Sequence, residues 1–327
     1  MATIRREIRI AASADDVWKV VGRPDLLHHW FPGMSDCTVQ TVDGVTTRTI
    51  VVGAGIPMRI PAVLDRFVHH EPATYPLAVA GAGPDQGVVL SFDPQAFLGR
   101  TLPPLTRPRF LAIVASDVLA LTLARKAHGH VDGFVVEGPT AGGHNAPPRG
   151  AWTKNDRGEP QYGPRDVVDL EKMKAIGRPF WLAGGTGSPE ALQAAIAAGA
   201  EGVQVGTAFA MCADSGLRDD LRHALLTRVV AGEADVVTEA VASPTGFPFK
   251  VAHLEGTLSD PDVRAARPRV CDLGYLREAY RAADGEVGFR CPAEPANVFV
   301  ARFMPDTAGS TDSIWVPIRS ISLMSDP

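Results

Sequence analysis

The stretch FWLAGGTGSPEALQAAIAAGAEGVQVGT at residues 180–207 contains one full unit of the pattern that decides the fold. An apolar run at Pro179–Ala183 predicts a buried strand, and the glycines after it predict a loop. Ser188 before a proline is a typical helix start, and Gly199 is a typical helix end. A second apolar run at Gly202–Val205 predicts the next strand. This order of strand, loop, helix and strand is typical of parallel α/β folds.

The same unit recurs from about residue 51 onward. Each strand candidate is short, continuously apolar and rich in β-branched or aromatic residues, as expected of a strand buried on both faces. The five candidates are Ile50–Ala54, Phe110–Ala115, Gly133–Glu137, Pro179–Ala183 and Gly202–Val205. Ser116 predicts the cap of a helix over Asp117–Lys126, and Asp166 predicts the start of a helix that runs to Ala175. The alternation predicts an α/β fold, either a barrel or a doubly wound sheet.

Other segments depart from this alternation. Residues 75–98 predict an inserted hairpin. After Gly216 the pattern predicts a helix to about Ala231, and a further helix is predicted near Tyr275–Ala283. Residues 1–52 predict a short α+β segment that ends in a hairpin with an Asp-Gly turn.

Composition excludes several classes of function. The chain has 327 residues, with 32 Lys and Arg against 37 Asp and Glu, so its net charge is -5 and a nucleic-acid partner is not expected. No apolar run reaches the roughly 18 residues that cross a membrane, so we expect no membrane partner and a cytoplasmic location. The cysteines are far apart in sequence and predict neither a disulfide framework nor a metal site. They are Cys37, Cys212, Cys271 and Cys291.

Two neighbouring strand-to-loop junctions predict a phosphate site. Gly184, Gly185 and Gly187 follow one strand, and Gly206-Thr207 follows the next. Glycines let backbone N–H groups approach an oxyanion closely, and a following helix N-terminus favours negative charge. In α/β barrels the last two such loops are where phosphate groups are most often bound. A tight turn with no ligand would use the same glycines, but two such loops in consecutive units favour the phosphate site.

A third loop predicts an acid–base group. The strand Gly133–Glu137 leads into a loop in which Gly142 and Gly143 precede His144. An imidazole there has room to meet a ligand and can exchange a proton near neutral pH. Glu137 either orients this histidine or caps the loop. Further on, SPTGFPFK at residues 243–250 predicts a rigid loop that either walls an apolar pocket or only connects two elements.

Three motifs together resemble the nitronate monooxygenase family, also called 2-nitropropane dioxygenases, which includes FMN-dependent enoyl-carrier-protein reductases. They are EGPTAGGHNAPPRG at 137–150, LAGGTGSPEALQAAIAAGAEGVQVGTAFAMCADSGL at 182–217 and ASPTGFPFKV at 242–251. The resemblance extends from about Gly53 to about Val300. It implies an FMN-binding TIM-type (β/α) barrel, here incomplete because five of eight strands are recognisable. It also implies that His144 is the catalytic base.

The resemblance and the loop pattern together give the expected cofactor-binding residues. They are Gly142, Gly143, Gly184, Gly185, Gly206 and Thr207. The implied activity is oxidation of alkyl nitronates by O2 to a carbonyl compound and nitrite. The implied substrate is an alkyl nitronate, or a nitroalkane that His144 deprotonates. The alternative activity is reduction of enoyl thioesters with NAD(P)H, with His144 assisting hydride transfer from reduced FMN.

The N-terminal segment resembles a different family. SADDVWKVVGRPDLLHHWFPGM at residues 13–34 is similar to the start of a START-like polyketide cyclase/dehydrase domain, which implies an apolar ligand. The expected organisation is a START-like fragment at 1–52, a barrel portion at 53–302 and an unmatched tail at 303–327. Because two unrelated families are resembled in one chain, a further alternative is that the chain is an inactive product of two joined genes.

Overall fold

The computed structural model describes residues 49–53, 56–80, 82–83, 87–101, 103–240, 242–243, 247–266, 278–282 and 284–290. The predictions for residues 1–48 and for the tail at 303–327 lie outside these residues. Within the described part of the chain, no helix is both long and apolar enough to cross a membrane.

The centre of the fold is a parallel sheet of five strands. They are β1 (Thr49–Val52), β5 (Arg109–Val114), β6 (Gly133–Glu137), β7 (Phe180–Ala183) and β8 (Gly202–Gln204). They lie side by side in chain order, and every neighbouring pair is parallel. All five predicted strands are therefore confirmed, and so is the α/β class. The sheet is open in the described residues, with β1 and β8 at its edges.

Helices connect these strands, two of them with the predicted caps and one with a later start. They are α3 (Asp117–Lys126), α4 (Leu170–Ala175) and α5 (Pro189–Ala197). The side chains of Ser116 and Ser188 cap α3 and α5, each accepting a hydrogen bond from a backbone N–H three residues on.

The predicted cap at Asp166 is wrong, because α4 begins three residues later and is capped by Asp169. The Asp166 side chain instead accepts hydrogen bonds from the backbone N–H groups of Gly163 at 2.7 Å and Arg149 at 2.8 Å. Asp166 ends a single 3-10 turn, Pro164–Asp166. Its carboxylate thus holds the loop after β6 in place instead of starting a helix.

Segments before and after the sheet add smaller elements. Helix α1 (Ile60–Val68) follows β1, and the inserted hairpin is confirmed as β2 (Ala73–Leu77) paired with β4 (Val88–Phe92). The other elements up to the predicted helix near Ala231 are β3 (Val79–Ala80), α2 (Pro94–Leu98), α6 (Thr207–Ala210), the 3-10 turn Ala213–Ser215 and α7 (Asp219–Ala231). Helix α7 confirms the helix that was predicted to run from after Gly216 to about Ala231.

Beyond α7 the chain forms two hairpins and a short helix. They are β9 (Val236–Glu239) with β10 (Phe249–Ala252), α8 (Pro261–Ala266), and β11 (Glu278–Arg281) with β12 (Val287–Arg290). The helix predicted near Tyr275–Ala283 is therefore wrong over β11, which also pairs with β3. The physical reason is the turn that follows it, where Gly285 has a φ of 84° and its N–H donates to the carbonyl of Ala282 at 2.9 Å.

The core lies on the helix-covered face of the sheet. Its buried residues are Phe110, Ala112, Val114, Ala120, Leu123, Val131, Phe134, Val136, Met173, Phe180, Ala195 and Ala200. On the opposite face the buried residues are Leu111, Val135 and Ala183, with Ile113 and Trp181 packed beside them. Successive side chains of a strand alternate between these two faces. Because the strands are parallel, their carboxyl ends, and the loops that follow them, all lie at one edge of the sheet.

Candidate functional site

Three loops meet at the carboxyl edge of the sheet, following β6, β7 and β8. The closest approach is at Gly184, whose φ is 99°. A Cβ on this residue would lie 2.5 Å from the backbone nitrogen of Ala141 and 2.8 Å from its Cα. No side chain fits in that space, so only glycine lets the loop after β7 pack against the loop after β6.

The remaining predicted glycines lie at the same edge. A Cβ on Gly185 would lie 3.8 Å from the hydroxyl of Thr140, and one on Gly142 would lie 3.9 Å from the hydroxyl of Thr207. Gly206 caps α6, and a Cβ there would have no neighbour within 4 Å. The structure thus brings the loop after β6 close to both the loop after β7 and the loop after β8, and leaves Gly185, Gly206 and Thr207 exposed.

This edge fits a phosphate group. Gly206 presents bare backbone to open space, Gly185 lies beside the hydroxyl of Thr140, and Gly142 lies beside the hydroxyl of Thr207. Since α6 has only four residues, its dipole adds little, and the donors would be backbone N–H groups and the two hydroxyls. Thr140 was not singled out from sequence. Its position two residues before Gly142 and Gly143 is the sequence feature that could have identified it as a candidate site residue.

A hairpin holds the histidine loop from the other side. The backbone N–H of Lys250 in β10 donates to the carbonyl of Gly143 at 2.9 Å, and the N–H of Asn145 donates to the carbonyl of Pro248 at 2.8 Å. Between them, His144 forms an antiparallel bridge with Phe249. The two rings meet edge to face with centroids 4.9 Å apart. Strand β10 therefore fixes both the backbone and the ring of His144.

Among the described residues, the imidazole of His144 is hydrogen-bonded to the side chain of Ser243. Its Nε2 lies 2.6 Å from the Ser243 hydroxyl. His144 is exposed, and the partial burial of its ring lowers its pKa because the charged imidazolium loses some solvation. The ring is therefore neutral over more of the physiological pH range than a free histidine, and a neutral imidazole can accept a proton.

Ser243 is the first residue of the segment at 243–250, and the sequence alone suggested no role for this serine. Of that segment's aromatic residues, Phe249 packs on His144 and Phe247 is 45% exposed. Lys250 points away from the histidine, because alternation along β10 turns its ammonium to the hydroxyl of Thr238, to which it donates. Phe249 therefore contacts the histidine ring, and the role of this segment as the wall of an apolar pocket stays a prediction.

A small cavity lies beside the histidine loop, at the ends of β5 and β6. Its volume of about 20 Å³ is enough for one water molecule. Asn145, 3% exposed, lines it and donates to the carbonyl of Ala141 at 3.0 Å, while its Oδ1 has no partner among the described residues. Tyr162, which donates to the carbonyl of Ala146 at 3.1 Å, closes another side. Burial, with the nearby Asp166 carboxylate, raises the pKa of Tyr162 to about 12.

Glu137 lines the same cavity. Burial raises the pKa of its carboxyl, so its neutral form is favoured relative to an exposed glutamate. No hydrogen bond joins it to His144 in the described part of the chain, where the imidazole is oriented by Ser243 and Phe249. Of the two roles considered for Glu137, the orientation of His144 is therefore not supported, and the capping of the loop stays a prediction. No group of His, Cys, Asp and Glu side chains that could hold a metal ion is found among the described residues.

Comparisons with known proteins match two segments of the chain. Residues 108–243 match the nitronate monooxygenase family, and residues 1–88 match the family "Polyketide cyclase / dehydrase and lipid transport". The probable nitronate monooxygenase of Staphylococcus aureus strain JH9 is 36% identical over 186 residues, and that of strain MSSA476 is 28% identical over 186 residues. Both matches cover 53% of this chain and 50% of the relative, so the chain spans about half the length of these relatives.

Two solved structures are also similar over part of their length. A FabK mutant from Thermotoga maritima has a TM-score of 0.31 and 23% identity, over 48% of this chain and 42% of that one. The nitroalkane oxidase of Streptomyces ansochromogenes has a TM-score of 0.33 and 26% identity, over 44% and 38%. The segment that contains β5 to β8, the glycine loops, His144 and Ser243 is a nitronate monooxygenase family segment, preceded by an N-terminal polyketide cyclase/dehydrase segment.

Proposed function

We propose that this chain is an FMN-dependent oxidoreductase of nitronate monooxygenase type. It would oxidise alkyl nitronates with O2 to a carbonyl compound and nitrite. The observation that supports this most directly is the convergence of three glycine loops at one edge of the sheet, beside a histidine that is held by Ser243 and Phe249. The family match over residues 108–243 supports the same reaction class. The net charge of -5 argues against a nucleic-acid partner and so supports a small-molecule substrate.

The proposed roles follow from the geometry of the edge. The phosphate of FMN would be held by the backbone of Gly184, Gly185 and Gly206 and by the hydroxyl of Thr207, with Gly142 and Gly143 bordering the flavin. The chemistry that FMN supplies when bound is acceptance of an electron from the nitronate. The glycines leave the backbone uncovered, so a ligand can approach it to hydrogen-bonding distance.

His144 would act on the substrate before oxidation. A neutral nitroalkane has an acidic proton on the carbon next to the nitro group, and the neutral imidazole would take it to give the nitronate. The lowered pKa of His144 keeps the base form available at neutral pH. Phe249 shields one side of the ring from water.

Flavin retention is the experiment that tests this function first. The purified chain is incubated with FMN, desalted, and examined for the visible flavin absorbance band. Gly206→Ala is the sharpest variant, because its Cβ would meet nothing in the protein and its φ of -113° suits alanine. We expect an unchanged melting temperature and at least about tenfold weaker FMN binding, since the methyl group would occupy the phosphate's space.

Gly87→Ala is the matched control, because a Cβ at Gly87 also has open space and lies on the distant hairpin. Gly184→Ala is unsuitable alone, since its clash with Ala141 would disturb the loops as well as the ligand. Equal FMN retention by wild type and Gly206→Ala, or none by wild type, would contradict the proposal.

Turnover then separates the reaction types. We expect O2 consumption and nitrite release with ethyl nitronate in the absence of NAD(P)H. His144→Asn should lower kcat/KM for nitroethane by about 10²–10⁴-fold and change it little for ethyl nitronate, because only the nitroalkane needs a base. NAD(P)H oxidation with an enoyl thioester and no nitronate turnover would instead identify an enoyl reductase.

A further inference from the structure

The contact between His144 and Ser243 decides which imidazole nitrogen is available to a substrate. A neutral imidazole has one N–H and one nitrogen lone pair, on different ring nitrogens. Nε2 of His144 faces the Ser243 hydroxyl at 2.6 Å, within hydrogen-bonding range. A nitrogen engaged in this way cannot take a proton from a substrate carbon at the same time. Any base chemistry in this arrangement must therefore use Nδ1.

We propose that Ser243 is a positioning residue that accepts the Nε2–H of His144 and thereby leaves the lone pair of Nδ1 to take the substrate proton. This rests on the proposed function, in which His144 is the base. The reverse arrangement, with the serine O–H donating to Nε2, would put the hydrogen on Nδ1 and leave no free basic nitrogen. The selection of one tautomer by a fixed neighbour is a general means of preparing a histidine for catalysis.

The surroundings are rigid enough for a single hydroxyl to make this selection. Ser243 is 7% exposed. The ring is packed edge to face against Phe249. The backbone on either side of His144 is bonded to β10 through Gly143 and Asn145. A half-turn of the ring about its Cβ–Cγ bond would replace Nε2 by a C–H group beside the serine, so the hydrogen bond to Ser243 itself favours the observed orientation of the ring.

The protonated nitrogen can be observed directly by NMR. The full-length protein is labelled with ¹⁵N-histidine, and long-range ¹H–¹⁵N spectra are recorded above the pKa of His144, with His144→Asn identifying its signals. We expect wild type to show a protonated Nε2 and an unprotonated Nδ1. Ser243→Ala should give a mixture of both tautomers, and Ser243→Thr, which keeps the hydroxyl, should restore the wild-type state.

A proton on Nδ1 in wild type would overturn the inference, and so would an Nε2–H state unchanged in Ser243→Ala. The wild-type spectrum decides the question even if Ser243→Ala does not fold. Turnover gives a second measurement: Ser243→Ala should lose about tenfold or more in kcat/KM for nitroethane and little for ethyl nitronate. The tautomer is measured without flavin or substrate. A protein that retains no FMN but shows Nε2–H would refute the proposed function alone, and an active protein with Nδ1–H would refute this inference alone.

Discussion

The two faces of the parallel sheet differ in how well they are covered. On the helix-covered face, β5, β6 and β7 contribute fully buried aromatic side chains, Phe110, Phe134 and Phe180, to a core that also includes α3 and α4. On the opposite face, the same strands contribute a small buried group centred on Val135. Since side chains alternate along a strand, one sheet supplies both faces, and the difference comes from what packs against them.

This difference shows which layer stabilises the candidate site. In a closed (β/α) barrel, helices cover the outer face and side chains from all strands fill the interior. The thinly covered face of this sheet would be that interior if the five strands were part of such a barrel; the chain spans about half the length of its relatives. The glycine loops and His144 follow strands whose burial comes mainly from the helix side, so the helix layer should dominate their stability.

The largest expected effect is a difference in stability loss between substitutions of two adjacent aromatic residues of β7. Phe180 is 1% exposed on the helix-covered face, and Trp181 is half-buried on the other. Phe180→Ala should lower the free energy of unfolding by about 3–5 kcal/mol. Trp181→Ala should lower the free energy of unfolding by about 1–2 kcal/mol, because folding buries less of the apolar surface of this side chain. Chemical denaturation of both variants checks this, and an equal loss would mean that another part of the chain or a second copy covers that face in solution.

The helix-covered layer is also the part that sequence predicts best. Strand β6 and helix α3 were predicted with the bounds observed. Strands buried on both faces have continuous apolar runs, and glycine, proline or a capping serine ends each run, so the signal is local. The meeting of the loops at one edge then follows from the parallel arrangement, since all the strands end on the same side.

Contacts between distant segments could not be predicted in this way. The bond between His144 and Ser243 joins residues 99 positions apart, and it depends on how the β9–β10 hairpin lies across the loop. The helix predicted near Tyr275–Ala283 is wrong over β11 for a related reason, because pairing with β3 and β12 outweighs local helical preference there. The roles of Gly206 and Thr207 stay predictions, since their positions suit a phosphate without proving one.

A smaller effect is expected at the amino edge of the sheet. Arg107 donates to Asp65 at 2.5 Å, to Asp132 at 2.6 Å and to the carbonyl of His130 at 2.6 Å, which ties α1 to the starts of β5 and β6. Arg107→Ala should cost about 1–3 kcal/mol in urea denaturation, because it leaves partly buried carboxylates without a partner. FMN retention should persist, since the glycine loops lie at the opposite edge.

Arg218→Ala is the control for Arg107→Ala, because Arg218 and its partner Asp220 are both exposed. Exposed ion pairs contribute only about 0.2–1 kcal/mol to stability. Similar losses in the two variants would show that the amino edge does not hold the sheet together. Loss of FMN binding in Arg107→Ala would show that the two edges are coupled, and the stability of the site would then depend on more than the helix layer above it.

The smallest effect concerns Glu137, which alternation in β6 places on the same side as Val135. Burial raises the pKa of Glu137, so the folded state binds its proton more tightly than the unfolded state. Its contribution to stability is fully present below the unfolded pKa and is lost as pH rises through the folded pKa. Glu137→Gln has no carboxyl to ionise. It should therefore melt at a similar temperature to wild type at acidic pH and about 2–4 °C higher at pH 8.

Melting curves at several pH values check this, with the exposed Glu201→Gln as a control for the loss of one negative charge. A gain at pH 8 that both variants share would mean that net charge, and not burial, is responsible. No gain in Glu137→Gln would mean that water reaches the carboxylate from the thinly covered face. The exposure of that face would then extend to the carboxyl edge, where the three loops meet, and the histidine loop would be bordered by solvent.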